Sequence, residues 1–189
     1  MTEWRLRLET ALEKNKGAAA RFLQLGTVDE NGRPAVRTVV FRGWRDGTNQ
    51  LKIVTDGRSE KIGHLLLQPW VELCWYFEQT REQFRLAGSC TLVTPQTADD
   101  ALQRQRQHAW RNLSDNARTQ FLWPDPSQPR QTESFANTPP SPDQPLATFV
   151  LLLVQPEKVD HLRLRGEPQD RAFFVQQSSE SWVETAVNP

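Results

Sequence analysis

Two short stretches concentrate cations and hydroxyls in a chain that has no net charge. In "RTVVFR", Arg37 and Arg42 bound a strand-like run of Thr38, Val39, Val40 and Phe41. In "TDGRSEK", Thr55 to Lys61, the residues Arg58, Ser59 and Lys61 crowd what reads as a helix start. Ser59 suits an N-cap, and Glu60 complements the helix dipole in the first turn. Unpaired backbone N–H groups, a favourable dipole and two cations are what a phosphate requires. Taken alone, such a cluster is more often a solvated helix end than an anion site. Residues five apart on a regular strand face opposite sides. Arg37 and Arg42 therefore reach one ligand only if the strand bends or the ligand lies along its edge; two solvated charges are the other reading.

The remaining candidates are weaker. His64, His108 and His161 are scattered without metal spacing, and Cys74 and Cys90 form no Cys-x-x-Cys pair, so no metal site is expected. Each cysteine sits in a strand-like apolar run and reads as a buried, reduced thiol, which fits a cytoplasmic protein. No nucleophile elbow or Gly-rich phosphate loop occurs. With 23 basic and 23 acidic residues, the chain lacks the positive field used in general nucleic-acid or membrane-surface binding. No run approaches the roughly 20 apolar residues that span a bilayer. No apolar stretch follows a basic start, so no signal peptide is expected. "QRQRQ", Gln103 to Gln107, reads as a solvated helix face, and the tryptophans as barrel and interface packing.

The elements that must position these residues follow from periodicity. Trp4, Leu8, Ala11 and Leu12 fall at helical spacing before Gly17. Then the period becomes two. Phe22 to Val28 and Ala35 to Trp44 are expected to pair across Asn31-Gly32, which favours positive φ and a tight turn. "NQLKIVT" predicts a third strand, and "SEKIGHLLLQ" a short helix ended near Pro69. "WVELCWYF" and "EQFRLAGSCTLV" predict a long hairpin turning at Gln79 to Arg81. Thr97 is the expected cap of a helix through "ADDALQRQRQHAWRNL", with Asp99 and Asp100 suiting its dipole; Ser114 caps a second helix, "SDNARTQFLW". Seven of the 13 prolines fall between Pro124 and Pro145, which predicts an internal loop over 124–145 without regular structure. "ATFVLLLVQP", "KVDHLRL", "DRAFFVQQ" and "SWVETAV" complete about nine strands. Strands that run consecutively, with few helices, predict a mainly β fold: a closed antiparallel barrel with flanking helices, one domain over residues 1–189.

The order of these parts resembles the pyridoxamine-phosphate oxidase family of FMN-binding split barrels. "RTVVFR" is similar to the family's Arg-x-Val-x-x-Lys strand, and "TDGRSEK" to its Thr-Asn-x-x-Ser-Arg-Lys segment. "REQFRL" around Gln83 resembles Glu-Arg-Gln-Val. "VDHLRLRGEPQDRAFF" resembles Val-Glu-Phe-Trp…His-Asp-Arg, and "SWVETAVNP" the Trp-containing C-terminus that closes in Pro. The similarity covers Phe22 to Pro189 except the proline tract. It implies an FMN cofactor at a homodimer interface. Arg37, Thr38, Val39, Val40, Phe41 and Arg42 would line the flavin, with Val54 and Thr55 beside it. Ser59 and Lys61 would hold the phosphate, and Gln83 would contact the pyrimidine end of the ring. Arg171 would approach the flavin and is the nearest candidate for a catalytic group, no catalytic residue being assigned.

The departures are informative. Glu60 stands where the family has the Arg beside the phosphate Lys, and Arg58 is placed to supply the lost charge. Arg42 replaces a lysine, which keeps charge and changes shape. Leu162 replaces a flavin-contacting Trp. "EPQ", Glu167 to Gln169, falls where the family's Arg-Leu-His grips its phosphorylated substrate; an acid there disfavours a substrate phosphate. The Tyr…Arg…Ser substrate segment keeps only Arg111 and Ser114. The resemblance therefore implies an FMN-dependent oxidoreductase acting on an altered small-molecule substrate. The alternatives are genuine pyridoxamine or pyridoxine phosphate oxidation, with new phosphate ligands from Arg163, Arg165 or Arg111, a non-catalytic flavin-binding protein, and a structural barrel without cofactor.

Overall fold

The computed structural model describes residues 2–131, 135, 138–178 and 181–189. Residues 132–134, 136 and 137 of the proline tract lie outside them. Helix α1 (Glu3–Lys14) buries Trp4, Leu8 and Ala11. Strands β1 (Phe22–Val28) and β2 (Pro34–Trp44) pair antiparallel from Phe22↔Val40 to Val28↔Pro34. In their turn Gly32 takes a positive φ of 76°, and Asp29 Oδ1 accepts the N–H groups of Asn31 and Arg33. Then come β3 (Leu51–Asp56), α2 (Glu60–Leu67), β4 (Trp70–Phe77), β5 (Glu82–Val93), α3 (Asp100–Arg111) and α4 (Asp115–Thr119). β6 (Phe149–Arg163), β7 (Asp170–Gln176) and β8 (Trp182–Val187) end the chain.

The sheet runs β3-β2-β1-β4-β5-β6-β7-β8, and β3 also pairs with β6. Six strands thus close into an antiparallel barrel, and β7 and β8 continue outside it. The alternation of side chains drives closure. β1 turns Leu23, Leu25 and Thr27 inward, and β4 turns Val71, Leu73, Trp75 and Phe77 inward. Phe41, Trp75, Phe77 and Phe84 form a chain of ring contacts with centroids 5.0–5.9 Å apart. Each fully buried Leu or Phe contributes roughly 1.5–3 kcal/mol relative to exposure.

Several expectations are corrected. The strands read at "ATFVLLLVQP" and "KVDHLRL" are one, β6, which leaves eight strands among the described residues. Pro156 lacks an N–H and reads as a stop, but the β5–β6 ladder shifts register between Ala87 and Gly88 and accommodates it. Gly88 permits the shift, since a Cβ there would lie 2.0 Å from the Gln155 carbonyl oxygen. Asp99, not Thr97, caps α3, accepting from the N–H groups of Ala101 and Leu102. "QRQRQ" is no solvated face: Arg106 is 5% exposed and donates to the carbonyls of Phe149 and Leu146. Both cysteines are free thiols, Cys90 buried and Cys74 only half-buried. Among the described residues, no helix is long and apolar enough to cross a membrane.

Candidate functional site

β2 and β3 part company halfway along. β1 covers β2 from Pro34 to Val40, whereas the β2–β3 ladder is confined to Phe41↔Ile53 and Trp44↔Leu51. Gly43, at φ 100°, sits in the irregularity between those two pairs. Beyond Ile53, β3 follows β6 from Val54↔Leu151 to Asp56↔Phe149. A seam opens between the two strands, and a cavity of about 600 Å³ occupies it. That volume suits a sizeable small molecule.

The seam resolves the puzzle of the two arginines. Arg37 shares the inward phase of Val39 and Phe41, and Arg42 the outward phase of Thr38 and Val40. Both nevertheless line the cavity, because it runs along the strand edge. Thr38, Val39, Val40, Val54, Thr55 and Lys61 line it too. Phe41 does not: its side chain is 2% exposed and packs against Trp44 and Trp75 in the core.

Charge at one end of the seam is unbalanced. Lys61 Nζ donates to Ser59 Oγ (2.8 Å) and Thr55 Oγ1 (3.0 Å). Burial, and then repulsion from Arg37, push the Lys61 ammonium below its usual pKa. Arg37 Nη1 donates to Thr27 Oγ1 at 2.6 Å and to the carbonyls of Ala35 and Leu25. Its Nη2 is buried and has no hydrogen bond. Glu60 Oε1 is 3.6 Å from that Nη2, but the Glu60 side chain is 69% exposed, so screening leaves the pair weak. A buried cationic donor with no hydrogen bond and only a weak, exposed ion pair, beside a desolvated ammonium, calls for an anion. Ser59 holds the N-cap position of α2 with extended φ/ψ, but its hydroxyl donates back to the Asp56 carbonyl (2.6 Å) rather than capping the helix. The residues present therefore fit a phosphate group.

Arg58 is placed differently from the sequence expectation. It binds Asp56 through both carboxylate oxygens, and also Asp125 and the carbonyls of Phe121 and Trp123. These acids hold its guanidinium and raise its pKa, the bond to Asp56 most. It clamps the cover of the cavity, to which Phe121, Trp123 and Pro124 belong, and is not a free phosphate ligand.

Gln83 and Arg171 lie elsewhere in this chain. Around the barrel β5 stands opposite β2, and β7 lies beyond β6. Gln83 Oε1 accepts weakly from Cys74 Sγ (3.8 Å). Arg171 is held bidentately by Asp160, at 3.0 and 2.8 Å. Glu167 and Gln169 line an open hollow with Arg81 and Arg165. Arg111 is paired with Asp143, and Arg163 with Asp170. No cluster of three or more metal-ligating side chains occurs among the described residues. Two groups escaped the sequence reading. Thr27, buried on β1, gave no local signal. The cover residues Phe121 and Trp123 were legible only as an apolar helix end.

The profile of the family described as "Pyridoxamine 5'-phosphate oxidase, FMN-binding domain" matches residues 1–94. The chain is 36% identical over 194 aligned residues to "Pyridoxine/pyridoxamine 5'-phosphate oxidase 2" of Arabidopsis thaliana, covering 98% of this chain and 96% of that protein. A pyridoxine/pyridoxamine 5'-phosphate oxidase of Rhizobium leguminosarum bv. trifolii is 34% identical over 97 residues, 51% of this chain and 44% of the relative. A solved structure from Nostoc punctiforme PCC 73102, a pyridoxamine 5'-phosphate oxidase-related, FMN binding protein, is 48% identical with a TM-score of 0.97, covering 100% of this chain and 99% of that one. Similarity that runs the length of both chains, beyond the barrel strands alone, decides membership: this chain belongs to the pyridoxamine 5'-phosphate oxidase family of FMN-binding split-barrel proteins.

Proposed function

We propose that residues 1–189 form one FMN-binding domain of a homodimeric, cytoplasmic oxidoreductase whose small-molecule substrate differs from the family's phosphorylated vitamin. The observation that carries the cofactor reading is the buried Nη2 of Arg37, which makes no hydrogen bond, beside the desolvated Lys61. Arg37 and Lys61, with Ser59 behind, hold the cofactor phosphate. The edge residues of β2, Thr38 to Arg42, offer main-chain groups along the seam, and Val54 and Thr55 form its other lip. Phe121 and Trp123 exclude water from above. When bound, FMN supplies the electron chemistry; the protein orients it and sets the charge around it.

The family resemblance gives Gln83 and Arg171 to the cofactor, and their position supports a homodimer. Gln83 and Arg171 stand away from the seam of their own chain, so they reach a cofactor there only from a second copy. An outward apolar surface suits that copy: Val28, Val36 and Trp70 are exposed on β1, β2 and β4, as are Leu66 and Leu67 at the end of α2. The free thiols suit a reducing compartment.

Glu167 supports the altered substrate, since an acid there repels a phosphate. One observation favours a second reading, genuine pyridoxine or pyridoxamine phosphate oxidation: the Arabidopsis relative of that name matches nearly the whole chain. The first experiment is the visible spectrum of the purified protein with and without FMN, with its mass by light scattering. Flavin bands from a dimer are expected; a colourless protein that ignores FMN overturns the cofactor reading. Turnover of pyridoxamine phosphate by the yellow protein then establishes the second reading, and turnover of unphosphorylated amines alone establishes the first. A yellow protein that turns over neither keeps the cofactor reading and turns the weight to non-catalytic flavin binding or to another substrate class.

A further inference from the structure

Arg37 does not choose its own orientation. Its Nη1 spends its hydrogens on three oxygens, and the shortest bond, 2.6 Å, goes to Thr27 Oγ1. Thr27 is 2% exposed on β1, so its hydroxyl has no water to fall back on. On its other side lies His64 Nδ1, 3.0 Å away, on helix α2. A hydroxyl has one hydrogen to give. Arg37 can only donate, so Thr27 accepts there and must place its own hydrogen elsewhere. The Ala35 carbonyl, at 3.5 Å, already accepts from Arg37; His64 Nδ1 is nearer. The shorter contact favours a chain of donors that runs from Arg37 to Thr27 to His64, and a chain in that direction needs the imidazole proton on Nε2 with Nδ1 accepting; a Thr27 hydrogen given to Ala35 would instead let Nδ1 donate. His64 lies one turn along the same helix that carries Lys61 at its start. The chain therefore joins the two cations of the seam through β1.

We propose that Thr27 and His64 are positioning residues for the phosphate end of the cofactor site: they hold Arg37 with Nη1 engaged and Nη2 left free for the anion, and they lock α2, with Lys61, against β1. This rests on the phosphate reading above. Neither residue touches the cofactor; each acts through Arg37.

The test compares affinity for FMN with affinity for riboflavin, which lacks the phosphate, by flavin fluorescence titration of the apoprotein. Thr27→Val keeps the shape and removes the hydroxyl. It is expected to weaken FMN binding about tenfold, the loss of one bond to a charged group, and to leave riboflavin binding within about twofold. Thr27→Ser restores the hydroxyl and the FMN affinity. His64→Leu removes the terminal acceptor, and its smaller loss is again confined to FMN. Independently, nitrogen NMR of histidine-labelled protein is expected to show His64 with its proton on Nε2. Equal losses for both flavins, no loss for either, or a proton on Nδ1 overturns the relay. Arg37→Met separates the two readings. If it leaves the FMN-to-riboflavin ratio unchanged, the phosphate site falls and the relay with it. If it collapses the ratio while Thr27→Val does not, only the relay falls.

Discussion

The seam between β2 and β3 and the outer ladder of β6 and β7 are both rich in arginine, yet they are built to opposite rules. On the outer side charges are matched in advance. Asp160 takes both arms of Arg171 and also faces Arg85 at 3.7 Å. His161, stacked 4.1 Å from Phe84, is closed off by Glu82 at 2.8 Å. In the seam, Arg37 and Lys61 repel one another, and they are offset only in part by the exposed Glu60 and by Asp56, which Arg58 already holds. The lesson is one of location. A protein stabilises itself where its charges are satisfied internally, and it binds where they are not. Arg58 shows the boundary, since it stands beside the seam but belongs by its partners to the matched class.

That contrast can be broken at either end. The largest effect is expected from Arg37→Met, which should raise the Kd for FMN about 100-fold while moving the apoprotein's melting temperature little, because relief of a like-charge contact offsets the hydrogen bonds lost to Thr27, Ala35 and Leu25. Fluorescence titration and calorimetry on one preparation decide it; a fall in apoprotein stability would mark Arg37 as structural. Asp160→Asn should do the reverse. It leaves Arg171 without its carboxylate and should lower the melting temperature by about 5 °C, and an unmoved transition would erase the difference between the regions.

Acid and alkali should separate them too. Lys61 has a folded pKa below its unfolded value of 10.5. Its charged form is disfavoured in the fold, so apoprotein stability should rise as pH increases from the lowered value towards 10.5. Lys61→Met should flatten that rise. Glu82 is the opposite case. Burial alone would raise its pKa, but hydrogen bonds from His161 and Thr80 and the nearby charges hold it below 4.5. Its contribution is present above 4.5 and lost as pH falls through the lowered value, and Glu82→Gln should remove that loss from an acid titration followed by circular dichroism. The smallest effect is reserved for Arg58→Ala. Its pairs are partly exposed, so loosening the cover should weaken FMN binding only about threefold. A loss as large as that of Arg37→Met would return Arg58 to the phosphate site.

Much of this was legible because it is local. The proposed phosphate segment spans Thr55 to Lys61, so its cations and hydroxyls are adjacent in the chain and stay adjacent when folded. The period-two runs of β1 and β4 show which side chains go inward. Arg106 was misread because its partners, the carbonyls of Leu146 and Phe149, come 40 and 43 residues later. Thr27 was invisible for the same reason: a hydroxyl on a strand has meaning only through Arg37 and His64, which reach it from β2 and α2.

The amino-acid sequence by itself determined that the chain is a mainly β protein with short helices, and it placed two cations and two hydroxyls at the start of α2. Both follow from spacing of a few residues, where covalent geometry leaves little choice. Only the tertiary structure decided which charges are satisfied. Asp125 and Trp123 reach back to hold Arg58, β3 pairs with β6 along its whole length but with β2 only as far as Ile53, which opens the seam, and Arg37 Nη2 is left buried without a hydrogen bond, facing only the exposed Glu60 at 3.6 Å. Hydrogen bonds and ion pairs depend on ångström-scale approach between distant segments, and closure of the barrel sets that approach.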